Sequence, residues 1–283
     1  MIDTIYQETG AKIRLICRVL NLPRSSYYQA AKSTQTALED QQIGEHIEAI
    51  FRKHRRRYGY RRIRDDLKDL GIFCGPSRVR RLMKQRGLRA IQPKSYQPRT
   101  SDGRADRPAP NLLLDRESPS RVNEVWAGDI TFIPTSTGWR YLAIVIDLYS
   151  RRVVGWSLSS HLRSDLVNKA LRQALRSRSR DQVLIFHSHR GSQYGSKSFR
   201  ALLRDANITQ SMSRRANPYD NAWTESFMGT LKTEMIKENR LTDERDARMA
   251  IFSYIDGYYN TVRKHSALGY LSPSKFESKL YQN

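Results

Sequence analysis

The stretch VWAGDITFIPTSTGWRYLAIVIDLYSRRVVGWSLS, residues 125–159, decides the fold. It contains three runs rich in β-branched and aromatic residues, at 125–134, 139–150 and 152–159, with short turns between them. Because short turns join neighbouring strands, this stretch predicts an antiparallel meander.

Downstream of the meander, helical and strand patterns alternate. Helices are predicted from Ser164 and at 197–206, 222–237 and 243–260, and buried strands at 183–188 and 208–213. Three strands followed by helix, strand, helix, strand and helix is the order of the ribonuclease-H-like fold. We therefore predict an α/β domain at residues 123–283, with a mixed sheet flanked by helices.

Upstream of the meander, the pattern is helical. Residues 11–30 predict a helix, a turn and the start of a second helix, which fits a helix-turn-helix or a plain helical hairpin. Residues 41–91 carry three apolar stripes at helical spacing. We predict an N-terminal helical segment at 1–40 and a small all-helical DNA-binding module at 41–91. Residues 92–122, rich in Pro, Ser and Arg, predict a linker.

The chain has a large excess of positive charge, with 50 Lys and Arg against 28 Asp and Glu, a net charge of +22. Such an excess favours a polyanionic partner, and nucleic acid is the leading candidate. The third predicted helix of the module has a basic face, formed by Arg78, Arg80, Arg81 and Lys84. We predict DNA contacts by this face, because few acidic residues lie near it in the sequence; the alternative is a solvated charged face.

Cysteine usage and hydropathy bear on the compartment. Cys17 and Cys74 are far apart and lack a CxxC pattern, so neither a disulfide framework nor a structural zinc site is indicated. No run of 18 apolar residues and no signal peptide is present, and we expect a cytoplasmic, nucleoid-associated protein.

Two acidic residues and a lysine are candidates for metal-dependent chemistry. Asp129 lies in the middle of a strand, among residues that otherwise look buried, and a lone buried carboxylate is costly unless it is paired or binds a metal. Glu225 and Lys232 are seven residues apart on one predicted helix, so both project from the same side, about 10.5 Å apart. Breaking a phosphodiester with two metal ions needs such carboxylates.

Several blocks of the sequence resemble the transposases of insertion sequence family 3, whose catalytic core is similar to retroviral integrases. The blocks in the core are WAGDITFIPT, GWRYLAIVIDLYSRRVVGW, HSHRGSQYGS, SMSRRANPYDNAWTESFMGTLKTE and YNTVRKHSALGYLSPSKFE, and those near the N-terminus are CRVLNLPRSSYY and RRRYGYRRIRDDL. The N-terminal blocks resemble the product of that family's second open reading frame. The resemblance implies a retroviral-integrase-like core that cleaves DNA strands at the ends of an insertion sequence and joins them to target DNA.

The resemblance also implies the catalytic positions. Two aspartates and a glutamate bind the metals in the family, with 35 residues between the second Asp and the Glu. Carried over, the first Asp is Asp129, the Glu is Glu225, and Lys232 matches the family's basic position. The middle position is His189, since 225 − 189 − 1 = 35. The expected cofactor is a pair of Mg²⁺ or Mn²⁺ ions, held by Asp129, Glu225 and His189.

His189 departs from the family pattern HSDRGSQY and leaves two hypotheses. Magnesium disfavours nitrogen ligands, whereas imidazole can serve manganese when its other ring nitrogen is held. The chain is then either a working polynucleotidyl transferase or a catalytically impaired copy that binds DNA and regulates transposition. A general ribonuclease H or junction nuclease is disfavoured by the basic N-terminal module.

Other residues have secondary assignments. Asp147 can lend a carboxylate to the site or form an ion pair with the arginines that follow it, and His187 is expected to pack or hydrogen-bond. Further DNA contacts are predicted for Arg190 and for the basic patch of Arg263, Lys264 and His265, and three tryptophans are predicted to be core: Trp126, Trp139 and Trp156.

The resemblance implies partners besides terminal-repeat and target DNA. The family's product acts with, or is fused to, an upstream reading-frame product that carries another helix-turn-helix and a leucine zipper. This chain has no sustained heptads, so a zipper would come from that partner. A homo-oligomer on DNA is expected, and no membrane partner.

Overall fold

The computed structural model describes residues 1–92, 108–114, 116–179, 183–214, 218–236 and 240–282. The chain divides into two units, Met1–Ile91 and Gln92–Asn283. Most of the linker predicted at 92–122 lies outside the described residues. Within the described ranges, no helix is both long enough and apolar enough to cross a membrane.

The first unit is all helical. Its helices are α1 (Ile2–Thr9), α2 (Ile13–Val19), α3 (Arg24–Lys53), α4 (Tyr60–Asp69) and α5 (Pro76–Gln85). The apolar stripes predicted from the sequence form its core, where Ile47, Ile63, Leu67 and Val79 are fully buried. The boundary predicted between residues 40 and 41 falls inside the continuous helix α3.

Helices α4 and α5 are joined by a tight turn. Gly71 has a φ of +78°, a left-handed conformation that glycine adopts without steric cost. Pro76 then occupies the first position of α5, where its missing N–H and fixed φ favour helix initiation. The turn thus lets α4 and α5 contact each other, and each helix buries apolar residues, Ile63 and Leu67 in α4 and Val79 in α5.

The second unit contains a five-stranded mixed sheet with strand order β3-β2-β1-β4-β5. The strands are β1 (Val125–Thr135), β2 (Gly138–Asp147), β3 (Val153–Ser159), β4 (Leu184–Ser188) and β5 (Ile208–Met212). The predicted meander is confirmed, because β1, β2 and β3 pair antiparallel. β4 pairs parallel with both β1 and β5. The predicted α/β fold with a mixed, ribonuclease-H-like sheet is therefore confirmed.

Helices cover both faces of this sheet. They are α6 (Ser164–Ser177), α7 (Ser192–Gly195), α8 (Lys197–Asp205), α9 (Ala222–Glu234), α10 (Glu244–Tyr254) and α11 (Pro273–Leu280). Successive residues of a strand point to opposite faces. Trp126 accordingly packs with α6 and α8, whereas Val125 and Ala127 pack with α9 and α10.

The segment after α10 braces the sheet. A π-helix spans Ile255–Tyr259, and a 3-10 turn spans Ser266–Leu268. The side-chain amide of Asn260 donates to the carbonyl of Val153 and accepts from its N–H, at 2.9 and 3.0 Å. Glu277 of α11 accepts from Arg152 and Arg178 at 2.7 and 2.6 Å. The C-terminal segment is therefore tied to the start of β3 and to the residues that follow α6.

One tryptophan prediction is wrong. Trp126 is fully buried and Trp156 is half-buried, as expected, but Trp139 is 58% exposed. Trp139 starts β2 beside the hairpin turn, and there it contacts the half-exposed ring of Phe132 edge-on. A strand pattern gives the face on which a side chain lies but not how far the covering helices extend.

Asp147 is a buried structural residue. Its carboxylate accepts backbone N–H bonds from Asn123, Tyr149 and Ser150 at 2.7 to 3.1 Å. Burial raises the pKa of Asp147, against the effect of these amides. Its Cα lies opposite Trp126, three residues along the ladder from Asp129. Asp147 thus organises the turn between β2 and β3, and the ion pair predicted for Arg152 is made with Glu277 instead.

Candidate active site

Asp129 lies in the middle of β1, opposite Ile144 of β2. Its side chain is 18% exposed, and its Oδ1 accepts the backbone N–H of Ile130 at 2.8 Å. The preceding residue must be small, because a Cβ on Gly128 would lie 2.5 Å from the ring of Phe186. Strand β1 therefore holds this carboxylate at the boundary between core and solvent.

His189 is brought beside Asp129 by the parallel pairing of β1 and β4. Gly128 lies opposite Ser188, the last residue of β4, so the next residues of the two strands are neighbours. Nδ1 of His189 lies 3.1 Å from Oδ1 of Asp129. In the part of the chain that the structure describes, this buried nitrogen has no hydrogen bond besides that ion-pair contact. The sequence prediction that these two residues share a site agrees with this geometry.

Two neighbours lie against the imidazole of His189. A Cβ on Gly191 would lie 2.5 Å from its Nε2, so a larger residue there would displace the ring. The ring of Tyr194 meets the imidazole edge-on, with centroids 5.2 Å apart. Burial and then the charge of Asp129 raise the pKa of Tyr194 well above its usual value. Sequence reasoning missed Tyr194, although its position inside the block HSHRGSQYGS was a usable signal.

Glu225 is in the first turn of α9 and is half-buried. Burial, and then the negative charge of Asp129, raise its pKa. The two carboxylates are therefore close enough to interact. Lys232 is exposed in the last turn of α9, two helical turns from Glu225, and the predicted placement of both on one side of the helix follows from that spacing.

The donor set of Asp129, His189 and Glu225 fits divalent cations. With the proton of His189 on Nε2, Nδ1 and the Asp129 oxygen would present lone pairs to each other at 3.1 Å, which a cation between them stabilises. Among the described residues, these three ligand atoms do not all lie within 4.8 Å of one another.

His187 is a buried structural residue, as predicted. Its Nδ1 lies 2.8 Å from the hydroxyl of Ser211, and its Nε2 lies 3.1 Å from that of Ser213. Burial lowers its pKa to about 4, so the ring is neutral at physiological pH. His187 therefore joins β4 to Ser211 of β5 and to Ser213, which follows β5.

The basic face of α5 is partly paired with acids of α3. Arg78 binds Asp40 and Glu39 at 2.7 and 3.2 Å, and Arg81 binds Asp40 at 2.7 Å. The expectation that this face lacks acidic neighbours is wrong, because these partners are about 40 residues away in the sequence. Arg80 and Lys84 are exposed.

The guanidinium of Arg80 stacks over the ring of Tyr60, 4.2 Å from its centroid, and donates to its hydroxyl at 2.7 Å. Arg61 also donates to that hydroxyl, at 3.1 Å. The exposed part of the α5 face thus presents a guanidinium that is already oriented by an aromatic ring.

The remaining basic candidates differ in exposure. Arg190 is half-buried and donates from Nε to the carbonyl of Ser213 at 2.7 Å. Lys264 and His265 are half-buried, and His265 contacts the ring of Tyr259. Arg263 is 6% exposed and paired with Glu234, so it is not on the surface as a DNA contact requires, and that prediction is wrong.

Family models match most of the chain. An integrase core domain matches residues 119–218 and a second integrase core model matches residues 206–273. A helix-turn-helix-like domain matches residues 37–96.

Two transposases and one solved structure are similar to this chain. A transposase for insertion sequence element IS904 of Lactococcus lactis is 40% identical over 87% of this chain and 97% of that protein. Transposase InsF for insertion sequence IS3A of Escherichia coli is 37% identical over 94% of both chains. The HTLV-2 integrase catalytic core domain in complex with magnesium is 15% identical, with a TM-score of 0.42, and covers 54% of this chain and 95% of that one. From the two transposases and the matching domain models, the chain belongs to the integrase-core transposases of insertion sequence family 3.

Proposed function

We propose that this chain binds divalent metal ions through Asp129, His189 and Glu225 and uses them to cleave DNA at the ends of an insertion sequence and to join the ends to target DNA. The observation that carries this proposal is the approach of Nδ1 of His189 to the Asp129 carboxylate at 3.1 Å, beside a glutamate whose pKa is raised by burial and by the charge of Asp129. The reaction class is polynucleotidyl transfer, in which water and then a DNA 3′-hydroxyl attack a phosphodiester.

The ions, when bound, neutralise charge on the attacking and leaving oxygens and align the nucleophile. The protein's residues supply the rest. Glu225 must lose its proton before it can hold a cation, and its raised pKa means that cation affinity increases with pH. Lys232, exposed on the same side of α9, is placed to bind a DNA phosphate next to the metals.

His189 affects the choice of metal. Replacing a carboxylate by neutral imidazole removes one negative charge and adds a nitrogen ligand, which Mg²⁺ disfavours and Mn²⁺ accepts. The ring packs edge-on against Tyr194, and its Nε2 lies beside Gly191. We propose that activity is greater with Mn²⁺ than with Mg²⁺.

DNA is held by the helical module as well. Arg80 and Lys84 of α5 are proposed to bind backbone phosphates, and Arg78 and Arg81 to do so when phosphates replace the acids of α3. Terminal-repeat and target DNA are the proposed substrates. Assembly as a homo-oligomer on DNA and action with an upstream reading-frame product, free or fused, are proposals from the family resemblance.

The test is strand cleavage and joining on labelled terminal-repeat DNA, with Mg²⁺ and with Mn²⁺. The native chain, His189→Asp and Glu225→Gln are compared, and DNA affinity is measured in parallel by fluorescence anisotropy. We expect the native chain to cut with Mn²⁺, His189→Asp to gain activity with Mg²⁺, and Glu225→Gln to lose both while binding DNA normally.

Two outcomes would overturn the proposal. If His189→Asp cuts and the native chain does not cut with either metal, the chain is a DNA-binding copy without chemistry. If Glu225→Gln cuts as well as the native chain, the metal site is not formed by these residues.

A further inference from the structure

Arg263 and Glu234 form a buried ion pair in the core of the second unit. Nε of Arg263 donates to both carboxylate oxygens of Glu234 at 3.1 and 3.0 Å, and Nη2 donates at 2.7 Å. The two residues are only 6% and 5% exposed. The hydroxyl of Tyr254 donates to the same carboxylate at 2.9 Å. The last residue of α9 is thus fixed by donors from outside that helix.

Glu234 and Glu225 lie at opposite ends and on opposite sides of α9. They are nine residues apart, since 234 − 225 = 9. Nine residues at about 100° each make two and a half turns and about 13 Å of rise. The side of α9 that Arg263 and Tyr254 hold is therefore opposite to the side that carries Glu225.

The other buried side of α9 is mostly apolar. Phe227, Met228 and Leu231 are buried among apolar side chains, and the hydrophobic effect that buries them is itself non-directional. At the start of α9, the side chain of Asn221 makes no cap hydrogen bond within the described residues. A rotation of about 20° would move a carboxylate that lies about 6 Å from the helix axis by about 2 Å. Such a displacement is large for a metal ligand.

We propose that Arg263 is a positioning residue: by holding Glu234, it sets the rotation of α9 and thereby directs the Glu225 carboxylate toward Asp129. This inference rests on the proposed function, because it gives the ion pair a role in forming the metal site. It also gives a role to a residue that the sequence pattern suggested as a DNA contact.

The test uses the full chain and Mn²⁺ binding measured by titration calorimetry and electron paramagnetic resonance, without a requirement for activity. Removing both charges with Glu234→Gln/Arg263→Met avoids leaving one buried charge unpaired. We expect Mn²⁺ affinity to fall about tenfold, as is typical when groups that orient metal ligands are lost. Affinity for a DNA duplex and its salt dependence should not change, whereas a phosphate contact would lower the salt slope by about one.

A control comes from another buried acid, Glu277 of α11. Glu277→Gln/Arg178→Met removes its ion pair with Arg178, which follows α6, and leaves the 39% exposed Arg152 without this acid. We expect a similar change in melting temperature and no change in Mn²⁺ affinity. If the double variant of the Arg263 pair does not fold, Tyr254→Phe removes only one donor to Glu234 and should weaken Mn²⁺ binding less, in the same direction.

The outcomes separate this inference from the proposed function. If Glu225→Gln weakens Mn²⁺ binding and the variants of the Arg263 pair do not, the positioning role is overturned and the metal site stands. If Glu225→Gln leaves Mn²⁺ binding unchanged, the metal site and the positioning role fall together. Weaker binding in both control and test variants would show a general loss of stability and would also overturn the inference.

Discussion

Replacing Gly155 by alanine should separate α6 from the sheet. Gly155 lies in β3, and a Cβ at this position would be 2.3 Å from the carbonyl oxygen of Ala170 and 2.8 Å from the backbone nitrogen of Ala174. Both obstacles are backbone atoms of α6, so no side chain can rotate away. Since ordinary contact begins at 3.4 Å, the helix or the strand must shift by about 1.1 Å.

The magnitude follows from what α6 buries. Its inner face consists of Leu166, Val167, Ala170, Leu171 and Ala174, all at most 2% exposed. A gap of about 1 Å forfeits up to half of each dispersion contact, and overpacking a core costs about 1 to 3 kcal/mol. We expect Gly155→Ala to lower the free energy of unfolding by about 3 kcal/mol, the upper end of this range. This loss corresponds to a melting temperature lower by about 6 to 12 °C.

Gly229→Ala is the matched control, since it adds the same methyl group to a glycine in α9. Gly229 is exposed and has no atom within 4 Å of a built Cβ, so alanine should raise stability by about 1 kcal/mol through helix propensity.

The assay is urea unfolding followed by tryptophan fluorescence. All four tryptophans lie in the second unit, so their signal reports that unit: Trp126, Trp139, Trp156 and Trp223. If Gly155→Ala stays within about 0.5 kcal/mol of the native chain, the close approach of β3 and α6 is not what requires glycine.

Three further predictions concern other residues. The pKa of His187 is about 4 in the folded chain, whereas in the unfolded chain the ring binds its proton at a higher pH, near the ordinary histidine pKa. The free energy of unfolding should therefore fall by about 3 kcal/mol from about pH 7 to pH 4. His187→Gln should flatten that part of a denaturant–pH profile, and an unchanged slope would contradict the assignment. Trp126→Ala should lower the free energy of unfolding by about 3 to 5 kcal/mol, and Trp139→Ala should lower it by less than about 0.5 kcal/mol, both measured by thermal unfolding. Equal losses would be inconsistent with the burial of Trp126 and the exposure of Trp139. Gly191→Ala should push the His189 ring aside and weaken Mn²⁺ binding about tenfold by calorimetry, but less in a His189→Asp background, and equal losses in both backgrounds would count against the clash.

The sequence was sufficient to predict the elements of the sheet and the neighbourhood of the candidate site. Periodicity of two and of 3.6 located the strands and helices, because one face of each must be apolar. The seven-residue spacing of Glu225 and Lys232 gave their common side of α9 for the same geometric reason. The identity of His189 as the neighbour of Asp129 came from the resemblance, and the pairing of β1 with β4 supplies its physical basis.

The errors concern partners that are distant in the sequence. Arg78 and Arg81 looked unpaired because Asp40 is about 40 residues away. Arg263 looked like a surface cation because its partner, Glu234, lies 29 residues earlier in the sequence. Asp147 looked free to join a metal site because its partners are backbone amides, which no sequence pattern displays. In each case the tertiary fold decides whether a charge faces solvent.

Each outer edge of the sheet has backbone groups that are hydrogen-bonded to residues outside the sheet, and this affects how the protein behaves in concentrated solution. On β3, Asn260 occupies the N–H and the carbonyl of Val153, and Gln173 accepts the N–H of Trp156. At the other edge, the N–H of Met212 donates to the carbonyl of Pro110, so the segment at 108–114 runs beside β5. Open edges recruit strands from other molecules and nucleate aggregates. Removing the side-chain amide of Asn260 should therefore make a concentrated stock of the purified protein aggregate sooner, even where each molecule remains folded.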